Sequence, residues 1–374
     1  MSISSPGFYR PTWAEIDTEA FFKNASVLAR RAGRARLLAV LKADAYGHGA
    51  VPLARILERR SPRGFWGFGV SSVEEGRTLR EAGLKSRILI LGSLFPFDSF
   101  DAALRYGLTP TVASRSSARA LARAAARAGT RTPVHIKVDT GMGRIGMTPA
   151  TAAEAIPDIA ALPALRLEGV YTHLAQAENA SRVREQLGLF DRLIHSLRGQ
   201  GLSFLAHAAN SEALLLRPES RYDMARPGLA LYGVPPAPGV RGLVPVLTWK
   251  TRVVFLKDVS KGTRVSYGGT WRASRRSRLA TLPVGYADGY RRALSNRGEV
   301  LVRGRRCPVV GRVTMDQIIV DVTDARGADI GEEVVLLGRQ GRASVTAEDM
   351  AAWADTIPYE ILCGLTARVQ RVYS

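Results

Sequence analysis

The sequence predicts an α/β fold in which an N-terminal (β/α)8 TIM barrel is followed by a mostly β C-terminal domain. Across residues 35–233, short apolar segments typical of strands alternate with amphipathic segments typical of helices. This alternation is the pattern of parallel strands joined by crossover helices. Eight such units in a segment of this length indicate a barrel. A Pro-rich segment at 235–239 then precedes a change of pattern, which indicates a domain boundary.

The predicted barrel strands are short apolar runs separated by helical patterns. The last one contains Pro227, which implies an interruption or an early end of the strand. The strand candidates are residues 37–42, 65–70, 88–91, 108–112, 134–139, 167–173, 204–208 and 222–231, and helix candidates include 18–32, 73–82, 116–128, 151–161 and 181–198.

The C-terminal part has little helical periodicity before Ala347 and instead shows short strand-like runs with Gly-bearing turns. We therefore expect a barrel domain over 12–238 and a β domain over 239–374, with about the first 11 residues packing against the β domain. The strand candidates here are residues 253–259, 278–282, 299–302, 308–313, 317–322 and 333–337.

Composition excludes several classes of protein. The chain has 374 residues, is 46% hydrophobic and carries a formal net charge of +20, but its arginines are scattered and are not interleaved with aromatic residues as in a nucleic-acid platform. No apolar run reaches membrane-spanning length, and residues 1–17 lack the apolar core of a signal peptide. Cys307 and Cys363 lie far apart without metal-type spacing. We expect a cytoplasmic protein that binds neither nucleic acid, membrane nor metal.

Lys42 is the most informative residue, because it ends the apolar run 38–41 and precedes a Gly/His loop. Burial lowers the pKa of a lysine, as a Schiff-base or general-base lysine requires. The alternative is a strand-end lysine that extends to water. Barrel enzymes place their active-site groups at the carboxyl ends of the strands, and this rule selects a cluster of polar residues there: Lys42, Lys137, Asp139, His173, His207 and Arg226.

Eight motifs occur in an order and at spacings that resemble one known family, the pyridoxal-phosphate-dependent alanine racemases. The resemblance runs from the first barrel strand to Cys363, and it implies a barrel plus a β domain, a homodimer and active sites shared between subunits. The motifs are AVLKADAYGHG (39–49), KVDTGMGRIG (137–146), HAANSEA (207–213), MARPGLALYG (224–233), VSYG (265–268), PVGYADGY (283–290), GRVTMDQ (311–317) and IPYEILC (357–363).

The resemblance implies a two-base mechanism. Lys42 would hold pyridoxal 5'-phosphate (PLP) covalently and serve as one acid/base group, and Tyr267 of the partner subunit would be the other. Racemisation removes a hydrogen from one face and returns a proton to the opposite face, so two groups are needed. A tyrosine acts as a base near neutral pH only with cationic or hydrogen-bonding neighbours, which the resemblance identifies as His173 and Arg226, with His207 supporting Arg226.

Arg226 is implied to face the ring nitrogen of the cofactor. A guanidinium cannot stabilise a protonated ring nitrogen, so the ring would stay neutral and withdraw electrons less strongly. Such a cofactor favours reprotonation over transamination, which suits a racemase. The alternative is an arginine paired with a core carboxylate such as Asp223.

The remaining implied residues bind phosphate and substrate. Lys137 lies near Arg144 in sequence, and the resemblance implies that it is carbamylated to an anion that positions the arginine. The alternatives are a neutral lysine or one paired with Asp139. Phosphate binding is implied for Tyr46, Ser211, Gly228, Leu229 and Tyr359, and substrate binding for Arg144, Tyr286, Met315 and Asp316.

The implied activity is the interconversion of L- and D-alanine, which supplies D-alanine for peptidoglycan. A broad-specificity, serine or lysine racemase on the same scaffold remains an alternative. A PLP-dependent decarboxylase of basic amino acids is a further alternative, although an acidic partner would then replace Arg226 at the ring nitrogen. The presence of both Lys42 and Tyr267 argues against a non-catalytic PLP-binding module.

Overall fold

The computed structural model describes residues 9–374, and these form two compact units. The barrel unit comprises Phe21–Ala45 and Ala50–Val244, and the C-terminal unit comprises residues 9–20, Tyr46–Gly49 and Pro245–Ser374. Residues 1–8, which hold most of the N-terminal segment expected to pack with the β domain, lie outside the described residues.

The strands and helices of the described residues follow one another in chain order. The strands are β1 Thr12–Ile16, β2 Arg36–Val40, β3 Phe65–Val70, β4 Arg87–Ser93, β5 Thr109–Val112, β6 Thr132–Lys137, β7 Leu165–Tyr171, β8 Leu205–His207, β9 Met224–Ala225, β10 Leu247–Arg252, β11 Phe255–Val259, β12 Arg264–Val265, β13 Trp271–Arg272, β14 Ser277–Leu282, β15 Glu299–Val302, β16 Arg305–Pro308, β17 Ile318–Asp321, β18 Glu333–Gln340, β19 Ala343–Val345 and β20 Gln370–Tyr373. The helices are α1 Thr18–Ala32, α2 Lys42–Tyr46, α3 Ala50–Arg60, α4 Val73–Glu81, α5 Ser99–Arg105, α6 Arg115–Arg127, α7 Pro149–Ala160, α8 Ala180–Gly199, α9 Ser211–Leu216, α10 Ala347–Ala354 and α11 Pro358–Cys363.

Eight parallel strands of the barrel unit form one sheet in the order β8-β7-β6-β5-β4-β3-β2-β9. The two end strands meet at a seam where Asp223 N donates to Ala206 O at 3.0 Å and Arg226 N donates to Ala209 O at 2.9 Å. The sheet is therefore a nearly closed barrel, and the predicted (β/α)8 TIM barrel is confirmed.

Several barrel helices begin at a capping side chain directly after a loop. Ser72 Oγ accepts from Glu75 N at the start of α4, and Ser114 Oγ accepts from Ser117 N at the start of α6. Asn179 caps α8 by accepting from two backbone N–H groups. Such caps satisfy donors that lack a partner within the helix, so the short loops after the strands keep defined positions. No helix within residues 9–374 is both long and apolar enough to span a membrane.

Five barrel strands end earlier than the sequence pattern predicts, namely β2, β6, β7, β8 and β9. β2 stops at Val40 and β7 at Tyr171, so Lys42 opens the short left-handed segment α2 and His173 lies in the loop after β7. β9 spans only Met224–Ala225, and Pro227 ends it as expected. The sequence pattern shows which residues are apolar, whereas a strand ends where its backbone stops pairing. The predicted and observed strand ends differ for this reason.

The C-terminal unit contains several β-sheets. One follows the order β16-β15-β18-β10-β1-β20 with β19 added to β18, and a three-stranded sheet has the order β11-β14-β17. The expected strand at 253–259 is divided, because Val253 N bonds to Glu332 O while Val254 N bonds to Thr281 O, so the chain changes sheet there. The expected strand at 308–313 is also displaced, since β16 ends at Pro308.

The strand β1 belongs to the C-terminal sheet, although residues 12–16 were expected to belong to the barrel domain. It pairs antiparallel with β10 and parallel with β20. Burial of β1 on both faces favours this position, because Trp13, Ala14 and Ile16 are all buried. The C-terminal unit also begins at Pro245 rather than at residue 239.

Asp288 is a fully buried carboxylate in the C-terminal unit. Its two oxygens accept from the Arg10 guanidinium at 2.5 and 2.6 Å, and Oδ2 also accepts from Gly285 N at 2.9 Å. Arg368 Nε lies 3.4 Å from Oδ1. The carboxylate therefore joins the N-terminal segment to the segments around 285 and 368.

We expect Asp288→Asn to lower the free energy of unfolding by about 2–3 kcal/mol, because it leaves a neutral amide among buried donors and two arginines. Urea titration of both proteins measures the difference. The matched control is Asp324→Asn, which removes the exposed pair with Arg275 at 2.5 Å and is expected to change the free energy of unfolding far less, because solvent screens an exposed pair. An equal or larger loss for Asp324→Asn would contradict the prediction.

Candidate active site

The carboxyl ends of the barrel strands gather most of the cationic residues singled out in the sequence. Lys137 ends β6, His207 ends β8 and Arg226 directly follows β9, whereas Lys42 and His173 each lie two residues beyond their strands. Burial and the positive charges of Arg226, Arg144 and Lys42 lower the pKa of Lys137 to about 7. The end of the barrel is therefore a strongly positive site.

The backbone after Lys42 forms a left-handed turn. Residues Ala43, Asp44 and Ala45 have φ values of 52°, 49° and 54°, and Tyr46 continues at 53°. Left-handed backbone is costly for residues with a side chain. Glu75 braces the turn, because its carboxylate accepts from Ala43 N at 2.7 Å and from Ser71 N at 2.6 Å.

Lys42 is exposed, so the burial expected from its apolar strand is not found. The reason is that the strand has ended before Lys42 and the left-handed turn has begun. An exposed amine beyond the strand ends is accessible to a bound molecule.

Arg226 is 5% exposed and its bonds go to uncharged acceptors. Nη2 donates to Thr172 O at 2.8 Å and to Ala208 O at 3.0 Å, while Nη1 bonds to His207 Nδ1 at 2.8 Å. Burial lowers the pKa of Arg226 to about 10, so it stays cationic at neutral pH.

Asp223, the suggested carboxylate partner of Arg226, is engaged elsewhere. Its Oδ2 accepts from Arg198 Nη2 and from Ala206 N, both at 2.7 Å. The structure therefore contradicts the alternative in which Arg226 is a core arginine paired with Asp223.

His207 is neutral and its tautomer follows from its neighbours. Burial and the charge of Arg226 hold the pKa of His207 well below its usual value. Because a guanidinium can only donate, His207 Nδ1 accepts and the ring proton resides on Nε2. Tyr171 stacks on this imidazole with a centroid distance of 4.6 Å and an interplanar angle of 5°.

Tyr171 was missed in the sequence, although it lies at the centre of the cationic cluster. Lys137 Nζ and Arg226 Cζ lie 4.8 and 5.2 Å from its ring centroid. The sequence did contain a pattern that could have identified Tyr171. Gly169 and Tyr171 lie two residues apart and so share one face of β7, as His135 and Lys137 share one face of β6.

His173 is neutral rather than cationic at neutral pH. Burial together with Arg226 and Lys137 lowers the pKa of His173 to about 3. It can therefore support a neighbouring group by hydrogen bonding, whereas the positive charge at this end of the barrel comes from lysine and arginine.

Asp139 organises the loop that carries Arg144 rather than pairing with Lys137. Its Oδ1 accepts from the backbone N–H groups of Gly141, Met142 and Gly143 at 2.8–3.1 Å, and its Oδ2 accepts from Arg144 N at 3.1 Å. Burial raises the pKa of Asp139, but these donors outweigh it and lower the pKa overall. Burial and the neighbouring cations leave the pKa of Lys137 at about 7, because they outweigh the charge of Asp139, which raises that pKa.

Ser211 and the segment after β9 form a group of converging donors. Ser211 Oγ accepts from Gly228 N at 2.9 Å and from Ala230 N at 3.2 Å, and Leu229 lies between them. Ser211 is buried, and its hydroxyl retains a proton to donate. This set of a hydroxyl and backbone N–H groups suits an oxyanion such as phosphate. In the described part of the chain, no three His, Cys, Asp or Glu side chains are arranged to hold a metal ion.

Tyr46 and Tyr359, both expected to bind phosphate, meet in the C-terminal unit. Their ring centroids are 5.9 Å apart, Tyr46 is buried and Tyr359 is partly exposed. Gly47 approaches α11 so closely that a Cβ would lie 2.3 Å from Leu362 O, which requires glycine there.

Tyr267 stands on an exposed turn of the C-terminal unit and is 72% exposed. The preceding Ser266 has φ 62°, and its hydroxyl donates to Arg312 O at 2.7 Å, which holds the turn. The phenol is therefore presented to the surroundings of the single chain.

Tyr286, Met315 and Asp316 lie side by side in the same unit. Tyr286 N donates to Thr314 O at 3.0 Å. Gly285 permits this approach, because a Cβ there would lie 2.3 Å from Met315 O. Asp316 accepts from Arg368 Nη2 at 2.7 Å, and Tyr286 and Met315 have exposed side chains.

Family models for the alanine racemase N-terminal domain and C-terminal domain match residues 16–236 and 246–373 of this chain. The chain belongs to the alanine racemase family. Alanine racemase of Symbiobacterium thermophilum is 48% identical over 370 residues, which cover 97% of both chains.

Solved structures of alanine racemases share the fold. The alanine racemase from the D-cycloserine producing Streptomyces lavendulae is 36% identical, has a TM-score of 0.91 and matches over 98% of both chains. That of Bartonella henselae, with covalently bound pyridoxal phosphate, is 31% identical with a TM-score of 0.88, covering 97% of this chain and 99% of that chain.

We expect the Lys137 side chain to change from charged to neutral as the pH rises through about 7, because burial and neighbouring cations disfavour its ammonium form. Carbon-13 label at the Cε of lysine gives an NMR signal for each lysine, and Lys137→Met identifies the relevant one. The buffer must be free of carbon dioxide.

Lys250 provides the matched control within the same spectrum. Burial lowers its pKa, but Glu15 at 3.0 Å and Glu333 at 3.3 Å outweigh this and raise the pKa of Lys250 above its usual value. Its signal should stay in the charged form over the range in which Lys137 titrates. Titration of both lysines together near pH 10 would contradict the prediction.

Proposed function

We propose that this enzyme interconverts L-alanine and D-alanine with PLP as its cofactor. The observation that carries the proposal is the buried, cationic Arg226, held by neutral acceptors at the same end of the barrel as Lys42. An arginine at this position disfavours the alternative decarboxylase, for which an acidic partner of the cofactor ring is expected. The family membership of the whole chain supports the same activity.

The residues at the barrel end fit PLP. The Ser211 hydroxyl and the N–H group of Leu229 would hold its phosphate, together with the N–H group of Gly228, which would turn to the phosphate from its present acceptor Ser211 Oγ. Arg226 would face its ring nitrogen, and the exposed amine of Lys42 would carry it covalently. Tyr46 and Tyr359 would add hydroxyl donors to the phosphate. When bound, PLP withdraws electrons from the α-carbon of an amino acid and makes its α-hydrogen acidic.

Two residues would then move the proton. The Nζ of Lys42 would accept or return it on one face of the substrate, and the phenol oxygen of Tyr267 would do so on the other. We propose that Tyr267 comes from the partner subunit of a homodimer, and its high exposure in the single chain supports this. His173 and Arg226 would surround the phenol with a hydrogen-bonding ring and a positive charge.

Arg144 would bind the carboxylate of the substrate, and Lys137 would hold Arg144 in place. We propose that the neutral amine of Lys137 adds to carbon dioxide, which forms an N–C bond, releases one proton and leaves an anionic carbamate. A lysine with a pKa of about 7 is largely neutral at physiological pH and so is available for this reaction. The carbamate would relieve the repulsion among Lys137, Arg144 and Arg226.

The partner subunit would also contribute Tyr286, Met315 and Asp316 to the substrate pocket. These residues limit its size, so they bear on the alternative of a broad-specificity, serine or lysine racemase. We place the reaction in the cytoplasm, as a source of D-alanine for peptidoglycan. Polarimetry over a panel of single-enantiomer amino acids tests the function, and failure to racemise alanine would refute it.

Tyr267→Phe should retain covalently bound PLP but slow the turnover of L-alanine by about 100-fold or more, because general acid–base groups contribute about that much. Proton exchange of each alanine enantiomer in deuterated water, followed by NMR, separates the two bases. Exchange of the α-hydrogen for which Lys42 is the only base required should persist in this variant.

Lys42→Ala is the companion variant, and it should lose both the covalent cofactor absorbance and racemisation. Full activity of Tyr267→Phe would refute the assignment of two bases. Loss of cofactor absorbance in Tyr267→Phe would instead show that the phenol acts in cofactor binding.

Enzyme supplied with carbon-13 bicarbonate should show a carbamate carbon signal that is absent from Lys137→Met. Removal of carbon dioxide should raise the KM for alanine, because the anion that positions Arg144 is lost. An unmodified amine, together with activity that is indifferent to carbon dioxide, would refute the carbamate.

A further inference from the structure

The buried side of Arg226 continues into a chain of polar groups that crosses the barrel interior. His207 Nδ1 bonds to Arg226 Nη1 at 2.8 Å, and His207 Nε2 bonds to His135 Nδ1 at 2.8 Å. His135 Nε2 then faces Glu168 Oε2 at 3.5 Å. Both of these last atoms are buried, and within residues 9–374 neither has a hydrogen-bond partner, so the 3.5 Å contact joins them as a buried imidazole–carboxylate pair.

The chemistry of its two ends gives this chain a single direction. Arg226 can only donate, and an ionised carboxylate can only accept. Each imidazole therefore carries its proton on Nε2 and accepts at Nδ1. The direction of donation runs from Arg226 through His207 and His135 to Glu168. A proton on Nδ1 of His207 would face the donor Nη1 of Arg226. An unprotonated Nε2 on His135 would face the acceptor Oε2 of Glu168.

The charge states agree with this direction. Burial lowers the pKa of His135 and His207, so both rings are neutral. Burial raises the pKa of Glu168, but its contacts with His135 and with the Arg166 guanidinium outweigh this and lower the pKa, so the carboxylate is ionised. Arg166 Nη2 binds the other oxygen of Glu168 at 3.1 Å.

The surroundings of His135 are shaped to hold its ring. A Cβ at Gly169 would lie 2.3 Å from His135 Nδ1, the atom that accepts from His207. Gly169 has no left-handed backbone that would otherwise require glycine. Trp66 packs edge-on against the same ring at 5.5 Å, and Tyr171 stacks on His207.

We propose that Glu168 and His135 are positioning residues that act through His207 to fix the orientation of Arg226 toward the cofactor ring. This inference rests on the proposed function. Glu168 determines which nitrogen of each imidazole carries the proton. His207 Nδ1 is then free to accept from Nη1 of Arg226, while the carbonyls of Thr172 and Ala208 accept from Nη2. The anion stabilises the arrangement while remaining too far from Arg226 to neutralise it directly.

The direct test is the tautomer of each histidine in the PLP-bound enzyme. The chain has only five histidines, so nitrogen-15 labelling of histidine and long-range proton–nitrogen NMR resolve them. His135 and His207 should both be protonated on Nε2 alone, with the exposed His195 as an internal reference. A proton on Nδ1 of His207 in the wild type would overturn the proposal.

Glu168→Gln should allow both tautomers of the two imidazoles, because an amide can either accept from or donate to His135 Nε2. We expect a second His207 signal with the proton on Nδ1. We also expect a fall of about tenfold in kcat for alanine, with KM changed less than about twofold because Arg144 lies outside the chain. Unchanged tautomers and kcat in this variant would refute the role of Glu168.

Arg166→Gln is the matched control, since it removes the contact at the other oxygen of Glu168 and keeps the contacts from Arg226 through His207 and His135 to Glu168. It should keep the wild-type tautomers and a kcat within about twofold of the wild type. Equal effects of the two variants would refute the proposal in favour of a general structural role. A wild-type enzyme that shows the expected tautomers but does not racemise alanine would refute the proposed function alone.

Discussion

Concentrated positive charge at the carboxyl ends of the barrel strands is the constraint on which the site depends. In addition to burial, the positive charges of Arg226 and Arg144 lower the pKa of Lys137, and together with Lys137 they lower that of His173. The protein tolerates Arg226 inside the barrel by giving it neutral acceptors at 2.8–3.0 Å rather than a carboxylate. The carboxylate of Glu168 is separated from the guanidinium by two imidazoles. This arrangement keeps the charge of the guanidinium available to a bound ligand.

Hydrophobic pattern was sufficient to predict the barrel and the β-rich C-terminal part, because alternating strands and helices determine both. Helix α1 has the same bounds in the sequence and in the structure. Patterns were insufficient at the point where the chain moves from one sheet to another. The apolar run at 253–259 is continuous in sequence, yet Val253 and Val254 pair with different sheets. The sheet that each residue joins depends on partner strands that lie far away in the sequence.

The candidate site was predicted unevenly for a similar reason. Lys137 and Arg226 stood out as polar residues in apolar surroundings at strand ends. His135, Glu168 and Tyr171 did not, because their importance comes from contacts between neighbouring strands at residues far apart in the sequence. The bond between His135 and His207 joins positions 72 residues apart. A single sequence does not report such a contact.

The left-handed turn after Lys42 makes the position of the amine depend on the folded surroundings. Ala43, Ala45 and Tyr46 adopt a mirror-image backbone that only the surrounding structure makes favourable. Glu75 accepts from Ala43 N, and Ala45 and Tyr46 are buried, so these contacts offset the cost of that backbone. The chain therefore acquires the placement of this amine only on complete folding.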